Sequence, residues 1–261
     1  MKKLWGFILI GILIVVLSAC NSADKSNSDS NEKVIKVGAT GQSFPNSYKD
    51  GEKLVGFDVE VLETIAKNLG YEVEWTLTDF SGLMGQLEAR KLDTIANNVA
   101  ITDERKKQYN FTDFYAVNGT QVVVRKDNDK INTLDNLKGK TIASVIGSNH
   151  VSNFENWNKK GDINLKTYET RESAMNEVVT GKVDGYINAS SVLTAEIAKS
   201  NLPFKLVGDP ISNDQVAFPF AKNKKGEKLL KEFNDELKKL RENGELKEIS
   251  EKYYKKDFTS K

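Results

Sequence analysis

Apolar positions along the chain change period repeatedly. Val34-Ile35-Lys36-Val37-Gly38-Ala39 alternates, which predicts a strand with one buried face. Val59, Leu62, Ile65, Ala66 and Leu69 then fall at helical spacing and stop at Gly70. Tyr71 to Leu77 alternates again, and Leu83, Met84 and Leu87 mark a further helix. Lys91 to Ala96 reads as a short buried strand after that helix. A second pass follows. Strands are predicted at Lys140–Ile146, Ile163–Tyr168, Gly185–Ile187 and Phe204–Val207, with helices at Thr133–Leu137, after His150 and over Glu172–Thr180. Gln215–Phe220 predicts a strand returning to the first half. Leu229, Leu230, Phe233, Leu237 and Leu240 form one helical face, Asn243-Gly244 breaks it, and Leu246, Ile249, Tyr253 and Tyr254 form the last. Strands alternating with helices predict an α/β fold on mainly parallel sheets, which take ligands beyond the carboxyl ends of their strands.

Arg90-Lys91-Leu92-Asp93-Thr94-Ile95-Ala96-Asn97 is echoed by Gly181-Lys182-Val183-Asp184-Gly185-Tyr186-Ile187-Asn188. The echo points to two lobes of related plan, although a generic helix-to-strand turn also has this form.

The first residues follow a different rule. Lys2-Lys3 precede an uninterrupted apolar or glycine run, Leu4–Leu17, shorter than the roughly 20 residues a bilayer span needs. It ends Leu17-Ser18-Ala19-Cys20, which resembles a bacterial lipobox, and Cys20 is the one cysteine of the chain. The expectation is a signal peptide over 1–19, a diacylglycerol thioether on Cys20 and a polar tether over 20–33. The protein would then be anchored at the outer face of the cytoplasmic membrane, on a Gram-positive-type cell surface.

Composition narrows the chemistry. The 261 residues suit two lobes, and 39% hydrophobic content excludes a disordered chain. There are 38 basic and 37 acidic residues, so losing Lys2 and Lys3 turns the balance just negative and leaves no electrostatic case for nucleic acid. One histidine and one cysteine make no transition-metal cluster, and no phosphate-binding Gly-rich loop followed by Lys-Ser/Thr occurs. No cofactor is expected.

Candidate chemistry gathers in Asn97-Asn98-Val99-Ala100-Ile101-Thr102-Asp103-Glu104-Arg105. Thr102 stands at an N-cap position, with Asp103 and Glu104 at the positive end of the helix dipole. A strand end running into a helix start aims unpaired N–H groups at one point, and Arg105 can present a planar fork to a carboxylate. Taken alone, the same pattern also describes an ordinary solvated helix start.

Val55-Gly56-Phe57-Asp58-Val59-Glu60, Asp79-Phe80-Ser81-Gly82-Leu83, Ile101 to Lys107, Leu137-Lys138-Gly139-Lys140 with Gly147-Ser148, and Leu240-Arg241-Glu242-Asn243-Gly244 occur in this order. Together they resemble the extracytoplasmic substrate-binding proteins of polar amino-acid ABC transporters (family 3 solute-binding proteins). Ala96 to Thr102 is most similar to the cystine-binding branch. The resemblance implies a two-lobed flytrap fold, with 34–117 and 217–261 as lobe one and 118–216 as lobe two with the hinge strands. It implies capture of an extracellular amino acid, cystine or another polar one, and delivery by a monomer to a permease with a separate ATPase subunit. It places the ligand α-carboxylate on Arg105, the Ala100 N–H, Ser148 and Asn149. It places the α-ammonium on the Asn98 carbonyl, and Phe44 and Phe80 beside the ligand side chain. Many relatives carry an ammonium-binding aspartate where this chain has Ala189. Asn188, Asp214 or a carbonyl would then replace it. His150 is either a surface residue of a helix start or a ligand contact. Two other readings are an enzyme on the same fold, dehydratase-like, with Glu60 or Asp79 as acid or base, and a sensory or adhesin lipoprotein without transport.

Overall fold

A computed structural model describes residues 33–200 and 202–260. The signal peptide, Cys20 and the tether expected from the sequence lie outside the described residues.

The chain opens with β1 (Lys33–Ala39), whose buried Ile35 and Val37 are the inward residues of the alternating run. A small antiparallel sheet follows, made of β2 (Gln42–Ser43), β3 (Ser47–Asp50) and β4 (Lys53–Val55). It delivers the chain to α1 (Phe57–Asn68) through Gly56. Gly56 has φ 136°, and a Cβ there would meet the Asn46 carbonyl oxygen, so a side chain is excluded by both backbone and space. β5 (Tyr71–Leu77), α2 (Phe80–Glu88) and β6 (Thr94–Ile95) complete a parallel sheet in the order β5-β1-β6. Then come α3 (Asp103–Gln108), β7 (Tyr109–Phe111) and β8 (Ala116–Asn118).

The second lobe holds β9 (Thr120–Arg125), a 3₁₀ turn (Leu134–Leu137), β10 (Thr141–Val145), α4 (Asn149–Trp157) and β11 (Asn164–Tyr168). It continues through α5 (Arg171–Val179), β12 (Gly185–Ala189), α6 (Ser190–Ser200) and β13 (Phe204–Val207). Its sheet runs β11-β10-β12-β9-β13, parallel through β12 and antiparallel for β9 and β13. The second sheet is therefore mixed, because β9 enters it from the crossover rather than from a helix. The Gln215–Phe220 run divides at Ala217-Phe218 into β14 (Asp214–Val216), paired with β8, and β15 (Pro219–Ala221), paired with β7. Two strands thus cross between the lobes. At the crossing, a Cβ on Gly119 would meet Pro210 and the Ser212 carbonyl, so the strands approach as closely as they do only because glycine stands there.

α7 (Lys224–Glu242) and α8 (Glu245–Tyr254) pack back on the first lobe. Leu229, Phe233, Leu237 and Leu240 join Ile35, Val37, Phe57, Leu62 and Ile65 in one core, although Ile35 and Leu240 stand at opposite ends of the folded chain. The second lobe has its own cores, on either face of its sheet.

The sequence echo has a structural counterpart. Asp93 accepts a hydrogen bond from the Lys36 N–H through its carboxylate (2.9 Å) and donates its own N–H to the Lys36 carbonyl (2.8 Å). Asp184 does the same with Thr141, at 2.9 and 2.8 Å. Each aspartate thereby bonds the strand its own strand joins, and each is followed by a short strand near whose end an asparagine, Asn97 or Asn188, lines the cleft.

Candidate functional site

Between the lobes lies a cavity of about 480 Å³, within the usual range for small-molecule sites. The first lobe contributes Thr40, Ser43, Asn97, Asn98 and Phe80 to its wall, and the second contributes Ser148, Asn149, His150, Arg171 and Asn188.

Of the strand-to-helix stretch that the sequence singles out, Asn97 and Asn98 line the cavity. Thr102 caps α3, its Oγ1 accepting the Arg105 N–H at 3.1 Å, so the cap and the arginine are set by one bond. Arg105 is buried. Its Nη1 donates to the Ala100 carbonyl (2.8 Å) and its Nη2 crosses the cleft to the Gly147 carbonyl (3.0 Å). Phe80 stacks on the guanidinium, 5.4 Å from the ring centre. Burial lowers the Arg105 pKa to about 10, so it remains a cation at neutral pH. Ala100 forms a single antiparallel bridge with Val216, flanked by the bonds Ile101 N–H to Gln215 and Ala217 N–H to Val99. In that pattern the N–H and C=O of Ala100 turn away from Val216, and its carbonyl meets Arg105.

Asn98 has φ 53°, a left-handed conformation that asparagine tolerates. Its N–H donates to Asp58 Oδ2, and its side-chain oxygen accepts from Asn118 Nδ2 at 3.0 Å. The neighbouring Asn97 points the other way. Its Oδ1 accepts from Thr40 N–H (2.9 Å), Thr40 Oγ1 (2.8 Å) and Ser47 Oγ (2.6 Å), tying the loop after β1 to the cavity.

On the second lobe, α4 begins at Asn149 with Ser148 as N-cap, and the Ser148 side chain caps no N–H. The first turn of α4 therefore offers its backbone donors to the cleft. The Asn149 side chain is committed inward, donating to Asp214 Oδ2 at 3.1 Å. Asn188 is also occupied: its Nδ2 donates to the Tyr186 hydroxyl and its Oδ1 accepts the Ala189 N–H (2.7 Å).

Of the eight ligand contacts expected, Phe80, Asn98, Ser148, Asn149 and Asn188 line the cavity. Arg105 adjoins it through Phe80, and Ala100 is bonded to Arg105. Phe44 stands elsewhere. Its ring is covered by Lys199 Nζ at 4.0 Å and packs edge-on to Tyr48, while its carbonyl accepts from Arg171 Nη1 at 3.1 Å. Phe44 thus joins the lobes at the rim. Glu60 and Asp79 have structural partners. Glu60 accepts from Tyr253 and Lys252, and Asp79 caps α2 through the Gly82 N–H. Among the described residues, no group of histidine, cysteine and carboxylate side chains could hold a metal ion, and no helix is long and apolar enough to cross a membrane.

Three buried ionisable groups around the cavity have little or no sequence signature as site residues. Arg171, at the start of α5, forms an ion pair with Glu196 of α6 at 3.0 Å, both nearly enclosed. Asp58 looks like a dipole-friendly surface acid in the first turn of α1, yet it is fully buried. Burial pushes its pKa up to about 7, against the opposing hydrogen bonds of the Asn98 N–H and the Tyr115 hydroxyl. His150 is buried too, and burial, with Arg105 and Arg171 nearby, lowers its pKa to about 3.

The last two make opposite contributions to stability. Folded Asp58 keeps its proton to about pH 7, whereas the unfolded value is 3.8, so its contribution is full below that value and falls as pH rises to 7. Folded His150 stays neutral to about pH 3 against an unfolded 6.5, so its contribution is full above 6.5 and is lost as pH falls. Between about pH 4 and 6.5 the two slopes oppose each other. Asp58→Asn should therefore steepen the rise of stability with pH across that window, and His150→Phe should turn it into a fall. Urea unfolding at pH 4.5, 5.5 and 6.5 measures both. Identical slopes in all three proteins would contradict the assignment.

Two lobes on a double crossover, with a cavity between them and a buried arginine bonded to the Gly147 carbonyl just before a helix N-terminus, define the class of two-lobed ligand-binding proteins. Residues 35–256 match the family of bacterial extracellular solute-binding proteins, family 3, and the chain belongs to that family. It is 52% identical to the probable amino-acid-binding protein YxeM of Bacillus subtilis, over 99% of this chain and 97% of the relative. It is 31% identical to the L-cystine-binding protein TcyJ of Escherichia coli, covering 96% of each. Among solved structures, an ancestral arginine-binding protein bound to arginine superposes with a TM-score of 0.79 at 32% identity, over 85% of this chain and 99% of that one.

Proposed function

We propose that this protein captures an extracellular amino acid by lobe closure and hands it to a membrane permease powered by a separate ATPase subunit. Arg105 carries the reading. It is a buried cation stacked on Phe80 of the cavity wall and held from both lobes, with the Gly147 carbonyl it bonds lying just before the uncapped first turn of α4, and together these suit one carboxylate. In this reading Arg105, the Ala100 N–H and the α4 amides at Ser148 and Asn149 take the α-carboxylate. The Asn98 carbonyl meets the α-ammonium, and Phe80 walls the side chain. Lobe one comprises 34–117 with 217–261, and lobe two 118–216. The ligand stabilises the closed form by the extra contacts it makes there. Cystine is the first candidate, since a cystine-binding protein is among the relatives, with arginine next. The chain is held at the outer face of the membrane by lipid on Cys20, and no cofactor takes part.

A thermal-shift screen of the twenty amino acids, L-cystine and short peptides tests this. A ligand present at a hundred times its Kd should add about 2.7 kcal/mol to apparent stability. A flat response to every α-amino acid would reject the reading.

A further inference from the structure

Asn98 lines the cavity in a backbone conformation that must be held from outside. Its φ of 53° is left-handed, a state that a residue other than glycine adopts at a cost. Two neighbours hold it. The Asn98 N–H donates to Asp58 Oδ2, in the first turn of α1, and the Asn98 side-chain oxygen accepts from Asn118 Nδ2 (3.0 Å), on the crossing strand β8. The Asn98 carbonyl accepts from none of the described residues, so it stays available to a ligand.

Asp58 does more than accept one hydrogen bond. It is fully buried, and its carboxylate sits directly against a residue of the cavity wall, so its charge acts at short range on whatever binds there. Tyr115, between β7 and β8, and Tyr254 of α8 are the titratable groups that bear on it. Burial raises both hydroxyls well above their ordinary range, so neither ionises alongside Asp58. The cavity wall adds Lys49, Asp79, Glu169, Arg171 and a neutral His150, none of them bonded to Asn98 or Asp58. Asp79 and Glu169 also attract an ammonium in this cavity, so Asp58 works beside them and does not replace them.

We propose that Asp58 and Asn118 are positioning residues of the ligand site, fixing Asn98 so that its carbonyl meets the α-ammonium group, with the Asp58 carboxylate supplying negative charge behind it. This assignment rests on the amino-acid reading of the cavity. It makes binding sensitive to protons. Burial keeps Asp58 partly protonated near neutral pH, with a pKa of about 7. A bound ammonium favours the ionised carboxylate and lowers that value, so binding expels part of a proton and affinity rises as pH passes upward through 7. The ionised carboxylate also holds the Asn98 N–H more strongly than the neutral acid does.

Titration calorimetry of the full chain with L-cystine or L-arginine, whichever binds, in buffers of different ionisation enthalpy counts the protons exchanged. The wild type should release a fraction of a proton at pH 7 and bind about threefold or more tighter at pH 7.5 than at pH 6. Asp58→Asn should release none and lose the rise with pH. Asp58→Ala should bind about tenfold more weakly than Asp58→Asn at pH 6, because only the amide still accepts the Asn98 N–H. Asn118→Ala should weaken binding about fivefold at both pH values and keep the proton release. The corresponding α-hydroxy acid, which brings no ammonium, should release no proton from the wild type. Equal proton release by wild type and Asp58→Asn would overturn the proposal, since the proton would then come from another group such as Glu169. So would equal affinity of wild type and Asn118→Ala. If Asp58→Ala does not fold, Asp58→Asn and Asn118→Ala carry the test. An amino acid bound without proton release removes Asp58 and leaves the amino-acid reading standing, whereas a wild type that binds no α-amino acid ends both.

Discussion

Arg105→Ala should lose about 2–5 kcal/mol of binding to the cognate amino acid, the cost of truncating one partner of a buried charge pair. That is a weakening of roughly thirtyfold to a few thousandfold. Three losses combine. The ligand carboxylate loses its countercharge. The Ala100 and Gly147 carbonyls lose the donor that bridges them across the cleft. Phe80 loses the cation it covers. Arg105→Lys should restore only part, because an ammonium cannot hold two carbonyls and a carboxylate in one plane. Isothermal titration against the ligand found by thermal shift measures the effect, with circular dichroism as the folding control. Unchanged affinity in the alanine variant would remove Arg105 from the site.

Arg171→Ala should destabilise the fold itself by about 3–5 kcal/mol, since it leaves Glu196 buried without its partner. Burial already raises the Glu196 pKa, and Arg171 opposes that rise. Without the arginine, Glu196 would take up a proton to escape the charge. The penalty should therefore be smallest in acid and grow with pH. Replacing both residues, as in Arg171→Met with Glu196→Leu, should recover much of the loss, because two apolar side chains need no partner. Urea unfolding of the two single variants and the double one closes the cycle. Equal stability of Arg171→Ala and wild type at pH 7 would show that the pair is not coupled in the folded chain.

The main outline of this fold can be read from periodicity. The apolar stripe of α7 and the alternation of β1 each report one buried face, and the residues that form those faces do meet in the first core. The Thr102 cap that holds the Arg105 N–H was legible because it is a local device, a strand end, a cap and a helix start within nine residues. The Lys-apolar-Asp echo was legible for the same reason, as each aspartate serves the strand beside its own. Arg171 and Glu196 were not legible. They sit on two different helices, each on a face that composition alone would assign to solvent, and only the packing of α5 on α6 encloses them. Asp58 was hidden more deeply, since an acid in the first turn of a helix already has a sufficient local explanation. Phe44 misled in the opposite sense. An aromatic residue in a loop near the cleft suits a ligand wall, yet its ring is taken by Lys199 of the other lobe.

The hydrogen bonds around Asp214 also decide where this molecule can give way. Asp214 lies on the crossing strand β14 and is bonded to Asn149 and Asn153 of α4 and to Thr120 of β9. The helix α4 is thus fastened to the crossing strand at its first turn. Contacts from the other lobe include Arg105 at the Gly147 carbonyl, the Phe44 carbonyl at Arg171 and Lys199 over the Phe44 ring. Opening therefore has a preferred fracture plane. It passes through the cavity and leaves α4, with its uncapped N-terminus, intact on one side.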